Sequence, residues 1–281
     1  MFERLSNSWA LAKASWSVLR ADKELIVFPT VSMLGAIFVT LTFVIPSILT
    51  GLFSGVSAGD HDSKVIGGIL MFLFYVILYT VIFYCNTALV GAAMIRLRGG
   101  DPTLPDGFRI ASQHFKAIVG YAIIAATVGM LLHWLRRQKV IGRIVAGIFG
   151  FAWNLATYFV VPILVTENVG PIEAVKRSAA LLRKTWGEQV IGNFSIGAIT
   201  SLVFFGLILI GIPAVMFAVA TQSLVLIGAV ISIFALALVA VGLISSALSG
   251  IYTAAVYQYA TTGTAAAYFD QSLIQGAFRA R

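Results

Sequence analysis

The sequence predicts an all-α fold, a polytopic membrane bundle of six transmembrane helices with amphipathic helices at the membrane interface. Two observations predict this fold class. The 281 residues are 59% hydrophobic and only 11% charged, whereas soluble domains carry about 25% charged residues. Long stretches, residues 25–59 and 189–269, also contain no Asp, Glu, Lys or Arg. We therefore expect residues 1–281 to form a single integral membrane domain.

Six segments are long and apolar enough to cross the hydrocarbon core, which takes about 20 residues. They are 25–52, 65–95, 117–135, 144–166, 190–219 and 223–260. Pro46 predicts a kink in the first helix and Pro162 the end of the fourth. The sixth segment is longer than the bilayer is thick, so it must tilt, kink or project into water. An alternative is that the third and fourth helices form a re-entrant hairpin.

The positions of the basic residues predict the orientation in the membrane. With the N-terminus inside, 14 of the 19 Lys and Arg residues lie on the cytoplasmic side and 5 on the outer side. Basic loops remain in the cytoplasm, so we expect an inner-membrane protein with both termini cytoplasmic. The turn 136–143 breaks the rule with four basic residues. Either this turn is external and unusually basic, or the third and fourth helices do not fully cross.

Three polar segments, each preceding a predicted hairpin, have the periodicity of amphipathic helices. In 170–188 one face carries Ile172, Val175, Ala179, Leu182 and Trp186, and the other carries Lys176, Arg177, Arg183 and Lys184. A basic face combined with tryptophan is typical of a helix that binds anionic lipid headgroups. The same pattern recurs at Leu5, Trp9, Ala12, Trp16 and Leu19, and more weakly at Phe108, Ala111, Phe115 and Ile118. The alternative is polar loops with chance periodicity.

These segments also suggest an internal organisation of the domain. An interfacial helix followed by a hairpin would divide the chain into three possible units, 1–98, 99–168 and 169–281. The uneven spacing of the segments makes a true sequence repeat a weaker interpretation.

The residues that usually carry chemistry are scattered. His61, His114 and His133 fall in different loops or helix ends, and the single cysteine, Cys85, lies in an apolar run. The sequence contains no G-x-S-x-G, H-E-x-x-H or phosphate-binding glycine loop. We therefore expect no catalytic residue, no metal and no cofactor. We also expect no nucleic-acid partner, because lipid headgroups and membrane topology explain the net charge of +8.

Polar residues at membrane depth are the better functional candidates. They are Asn86, Asn154 and Asn193, together with Glu167 at the end of the fourth helix. Either the asparagines bond across helices as structural contacts, or they line a polar pathway.

The sixth helix carries small residues at four-residue spacing, Gly242, Ser246, Gly250 and Ala254. Such a row lets two helix backbones approach closely. The contact is either within one chain or between chains, and the second possibility predicts a homo-oligomer.

Several short motifs are spread over most of the chain: Ser17–Leu25 with Phe28-Pro29, Asn86–Val90, Asp101–Leu104, Val161–Leu164 with Glu167, Gly170–Ala174 with Arg177-Ser178, and Thr185–Glu188. Together they resemble an uncharacterised prokaryotic family of six-helix integral membrane proteins. That family is loosely similar to the membrane domain attached to some glycerophosphoryl diester phosphodiesterases. The resemblance implies six helices and a cytoplasmic N-terminus. It implies no activity, substrate or catalytic residue.

The sequence therefore favours a non-enzymatic role in the inner membrane, as a channel or transporter, a lipid-handling protein or a membrane-organising protein. One alternative is a lipid-modifying enzyme that uses Glu167 or Glu173 near the cytoplasmic headgroups. Another is a membrane subunit of a larger assembly whose partner carries the activity.

Overall fold

The computed structural model describes residues 2–51, 55–56, 60–138, 140–186 and 195–270. Every regular element in those ranges is helical, which confirms the all-α fold class. The helices are α1 (Phe2–Ala21), α2 (Val27–Leu49, preceded by a 3₁₀ turn at Lys23–Ile26), α3 (His61–Leu97), α4 (Leu104–Gln113), α5 (Phe115–Arg136), α6 (Val140–Ala156), α7 (Val160–Glu167), α8 (Pro171–Trp186), α9 (Ser195–Ala220) and α10 (Leu224–Thr262).

Six segments of the described chain are long and apolar enough to cross a membrane. They are Lys23–Leu49, His61–Leu97, Phe115–Arg136, Ile141–Glu167, Ile199–Ala220 and Leu224–Thr262. The chain is thus a multi-pass membrane protein, as predicted. The three polar segments also form helices, α1, α4 and α8. At about 1.5 Å per residue, the 37 residues of α3 and 39 of α10 reach well beyond a hydrocarbon core of about 30 Å.

The fourth predicted helix is two helices, and Pro162 does not end it. The break between α6 and α7 covers Thr157–Phe159, and α7 continues through Pro162 to Glu167. Pro162 stands in the first turn of α7, where the missing N–H has no helical partner to lose. The hydroxyl of Thr157 donates to the carbonyl of Trp153 at 2.8 Å, a local bond of the kind that bends helices.

The chain divides into two compact units. The larger comprises Val27–Ala92 and Pro102–Gly187, and within it α4 lies against α3. Gly107 of α4 permits this close approach, because a Cβ there would lie 2.8 Å from the Ala88 carbonyl oxygen and 2.5 Å from Phe28 Cζ. The ring of Phe28 packs edge-on against Phe108 with centroids 5.1 Å apart. The amphipathic helix α8 packs against α5, α6 and α7.

The second unit comprises Met1–Ile26, Ala93–Asp101 and Glu188–Arg281. In its described part, α1 packs against both α9 and α10, and these two helices pack against each other. The ring of Phe234 occupies the space beside Gly211, where a Cβ would lie 2.1 Å from Phe234 Cε2. The Thr200 hydroxyl donates to Ser245 Oγ at 3.1 Å.

Side-chain burial is concentrated at one end of the longest helices. In α3 the run Ala88–Met94 is almost entirely buried, whereas Ile66 and Ile69 near the start of the helix are more than half exposed. In α10 Ala254–Tyr257 are buried, whereas Leu224 is 85% exposed. Apolar side chains left exposed on this scale mark a surface covered by a membrane or a partner. The bilayer that these helices are long enough to span supplies that cover.

Candidate functional site

The turn between α7 and α8 brings charged side chains together. Asn168 ends α7 in the left-handed conformation, with φ 46° and ψ 41°, which asparagine adopts more readily than most residues. Pro171 begins α8, where a fixed φ and an absent N–H cost nothing. The chain thus reverses over Asn168–Gly170, so the end of α7 lies beside the start of α8.

One side of α8 is buried in the larger unit. Ala174, Ser178 and Leu182, spaced one turn apart, are buried, and Ile172 is 63% exposed. The predicted apolar face was therefore partly wrong, because it included Ile172 and omitted Ala174 and Ser178. Packing against α7 selects small side chains on the facing side of α8. The predicted face included the small residue Ala179 and missed Ala174 and Ser178 by one position each.

The other side of α8 carries the basic residues. The side chains of Lys176, Arg183 and Lys184 are exposed, as predicted, and no carboxylate forms an ion pair with them in the described part of the chain. Three uncompensated cations on one helix produce a local positive field, which falls off within about one Debye length in salt. The surroundings of Trp186 lie outside what the structure describes.

Arg177 differs from its basic neighbours because it is held by two carboxylates. Its Nη1 donates to Glu167 Oε2 at 2.5 Å, and its Nε donates to Glu173 Oε1 at 3.0 Å. These hydrogen bonds raise the pKa of Arg177 above its ordinary value. All three side chains are between 28% and 49% exposed, so the ion pairs fix geometry more than they add stability. The structure joins two predicted site residues here, Glu167 and Arg177.

A buried hydrogen bond links α8 to the break in the fourth transmembrane segment. The backbone N–H of Phe159 donates to Ser178 Oγ at 2.9 Å, and both residues are fully buried. The break leaves this N–H without its usual helical acceptor, and a buried N–H must find another one. Ser178 therefore anchors α8 to the one place where the transmembrane segment is interrupted.

The predicted asparagines do not share one environment. Asn86 is half-buried in α3, Asn154 is exposed on α6, and Asn193 lies outside the described residues.

The small residues of α10 divide into two pairs. Gly250 and Ala254 are buried inside the chain, whereas Ser246 is exposed and a Cβ at Gly242 would meet nothing within 4 Å. The second pair of the row therefore packs within one chain. Only Gly242 and Ser246 remain open to another molecule.

One charged cluster was not predicted from the sequence. In the smaller unit, Arg96 Nε lies 3.5 Å from Asp22 Oδ2, and Arg96 also pairs with Asp101. The Asp22 side chain is 5% exposed and that of Arg96 17%. Burial raises the pKa of Asp22, and the nearby Arg96 opposes this shift. The available signal was the charged run Asp22-Lys23-Glu24 directly before an apolar segment.

In the described part of the chain, no group of three or more His, Cys, Asp or Glu side chains is placed to hold a metal ion.

The profile of one protein family, a family of unknown function designated DUF6159, matches residues 65–267. The chain belongs to this family. The matched residues run from α3 to just beyond the end of α10, so the match covers five of the six membrane-spanning segments together with α4 and α8. No curated protein and no solved structure matches the chain.

Proposed function

We propose that this protein binds anionic phospholipid headgroups at the cytoplasmic face of the inner membrane and organises lipid there without chemical turnover. The observation that carries the proposal is the outward basic face of α8. Lys176, Arg183 and Lys184 are exposed, while the opposite side of the helix is fixed to the bundle by burial and by Ser178. Each basic residue near an anionic surface contributes about 1 kcal/mol of attraction.

The enzymatic alternative has less support. A catalytic carboxylate has to be available to its substrate. Glu167 and Glu173 both accept hydrogen bonds from Arg177, so one oxygen of each carboxylate is already occupied. We infer that Glu167 and Glu173 hold the α7–α8 turn in place through Arg177. Lipid turnover would require further catalytic groups, which this turn does not offer.

The proposal is tested by lipid selectivity of the purified protein. Electron spin resonance with spin-labelled phosphatidylglycerol or phosphatidylcholine measures which lipid the protein retains at its surface. We expect preference for phosphatidylglycerol, and a loss of about 1 kcal/mol of that preference per charge removed in K176Q/R183Q/K184Q.

Two neighbouring residues provide a matched control. Lys176→Gln and Arg177→Gln each remove one charge from the same turn of α8, but only Lys176 is free of a carboxylate partner in the described residues. We expect Lys176→Gln to reduce selectivity more. Equal losses would mean that net charge alone attracts the lipid and that the exposed face of α8 is not a binding surface. Steady lipid turnover that Glu167→Gln abolishes would favour the enzyme.

A further inference from the structure

Helix α1 has two contrasting sides in the smaller unit. The inner side carries Leu11, Ser15 and Val18, which are at most 2% exposed, together with Ala12 and Leu19. This side faces α9 and α10, against which α1 packs. The sequence pattern placed Trp9 and Trp16 on the same face as Ala12 and Leu19. The structure corrects this, because both tryptophans lie on the outer side.

The outer side of α1 alternates tryptophan with cations. Trp9 is 64% exposed and Trp16 is 45% exposed, and the side chains of Lys13 and Arg20 are exposed as well. The spacing of four, three and four residues puts all four side chains in one row along the helix. Between Trp9 and Ala21 the sequence contains no acidic residue, so the row has one sign of charge.

Neither pure water nor hydrocarbon suits this row. Two indoles exposed to water would leave a large apolar area unburied, and two cations in hydrocarbon would be costly. The headgroup region suits both, because indoles concentrate there and cations pair with phosphate. The uncompensated positive charge selects an anionic headgroup over a zwitterionic one.

We propose that the outer row of α1, Trp9, Lys13, Trp16 and Arg20, is a second binding surface for anionic phospholipid. Lys13 and Arg20 contact the phosphates, and the two indoles set the depth of the helix at the glycerol level. This inference rests on the proposed function for its ligand class, but it uses a different helix in a different unit from α8.

The experiment uses the two tryptophans as reporters in the full-length protein. Trp134, Trp153 and Trp186 are replaced by Phe, and the protein is reconstituted with dibrominated phosphatidylglycerol or dibrominated phosphatidylcholine. Bromine quenches only nearby indoles. We expect stronger quenching by phosphatidylglycerol, and K13Q/R20Q should lower that preference about fivefold for each charge removed.

The control variant R183Q/K184Q changes α8 and should leave quenching of Trp9 and Trp16 unchanged. Equal quenching by the two lipids, or no quenching by either, overturns the α1 proposal. Failure of the proposed function is distinct, since it appears as unchanged selectivity in the α8 variants. If the Phe background does not fold, native mass spectrometry of phosphatidylglycerol retained by K13Q/R20Q in the otherwise unchanged protein gives the same decision.

Discussion

The buried hydroxyl oxygen of Ser178 accepts a hydrogen bond from the backbone N–H of Phe159, which lies in the break before α7. Removing it takes away the acceptor that Ser178 supplies to the buried Phe159 N–H, and losing such a buried hydrogen bond costs about 1–3 kcal/mol. We expect Ser178→Ala to lower the midpoint of thermal unfolding in detergent. Ser112→Ala is the matched control, because it also removes a bonded hydroxyl, 2.8 Å from the Tyr84 oxygen, but at an exposed position. Equal midpoints for the two variants would show that the Ser178 bond is replaced by water.

The buried carboxyl of Asp22 predicts a pH dependence. Because its pKa is raised in the folded protein, the folded state binds the proton more tightly than the unfolded state. This contribution to stability grows as pH falls through the folded-state pKa, and it is complete below the unfolded value of about 3.9. It is lost as pH rises through the raised value.

The measurement compares wild type with Asp22→Asn across acidic and neutral pH. We expect the wild type to gain stability relative to the variant as pH falls, since only the wild type takes up this proton. The difference between the two melting curves removes the contributions of other acids, such as Asp106, whose lowered pKa acts in the opposite direction. A difference that is independent of pH would contradict the assignment.

Ser178 and Asp22 also show where residue-level prediction from the sequence ends. The exposed Lys176, Arg183 and Lys184 were predicted because charge periodicity along one helix is a local property. The role of Ser178 depends on a helix break 19 residues earlier, and that of Asp22 on Arg96 in another helix. Such partners are set by tertiary packing, which a hydrophobic periodicity does not encode.

At the level of elements, the attachment of α4 to α3 depends on the absence of a side chain at Gly107. A methyl group there would meet the Ala88 carbonyl oxygen, a backbone atom that cannot rotate away. We expect Gly107→Ala to cost about 1–3 kcal/mol of stability through overpacking. Gly147→Ala in α6 is the control, because a Cβ there meets nothing within 4 Å and alanine favours the helix. Unfolding by SDS titration should separate the two variants. A stable Gly107→Ala protein would mean that α4 shifts freely on α3.

The elements were largely predictable, and the exception has a physical reason. Uncharged runs of the length of a bilayer predicted all six spanning segments, because lipid imposes length and apolarity on each one separately. The fourth segment was predicted as a single helix ending at Pro162, whereas the break lies earlier, at Thr157–Phe159. Ser178, which lies in another helix, compensates for this break, so its position did not follow from the apolar pattern of the segment alone.

For the whole molecule, the orientation in the membrane remains a prediction. With 14 basic residues inside and 5 outside, we expect both termini in the cytoplasm. Reporter fusions at Arg281 and in the 53–64 loop should give opposite signals, since five of the six predicted spans, an odd number of crossings, lie between them. A third fusion in the 136–143 turn tests whether α5 and α6 cross fully. Equal signals from the first two sites would contradict the topology.

The row of small residues on α10, Gly242, Ser246, Gly250 and Ala254, also predicts how whole molecules assemble. Helices in lipid gain nothing from burying apolar surface against each other, so close backbone contact drives their association. Gly250 and Ala254 are already buried inside the chain, whereas Gly242 and Ser246 remain open. We therefore expect a homo-oligomer that uses the Gly242 end of α10, and Gly242→Leu should shift the detergent-solubilised protein toward the mass of a monomer in light scattering. Gly250→Leu, in contrast, should lower the unfolding temperature by overpacking a buried site. If Gly242→Leu retains the wild-type mass, the open half of the row faces lipid and does not contact a second copy.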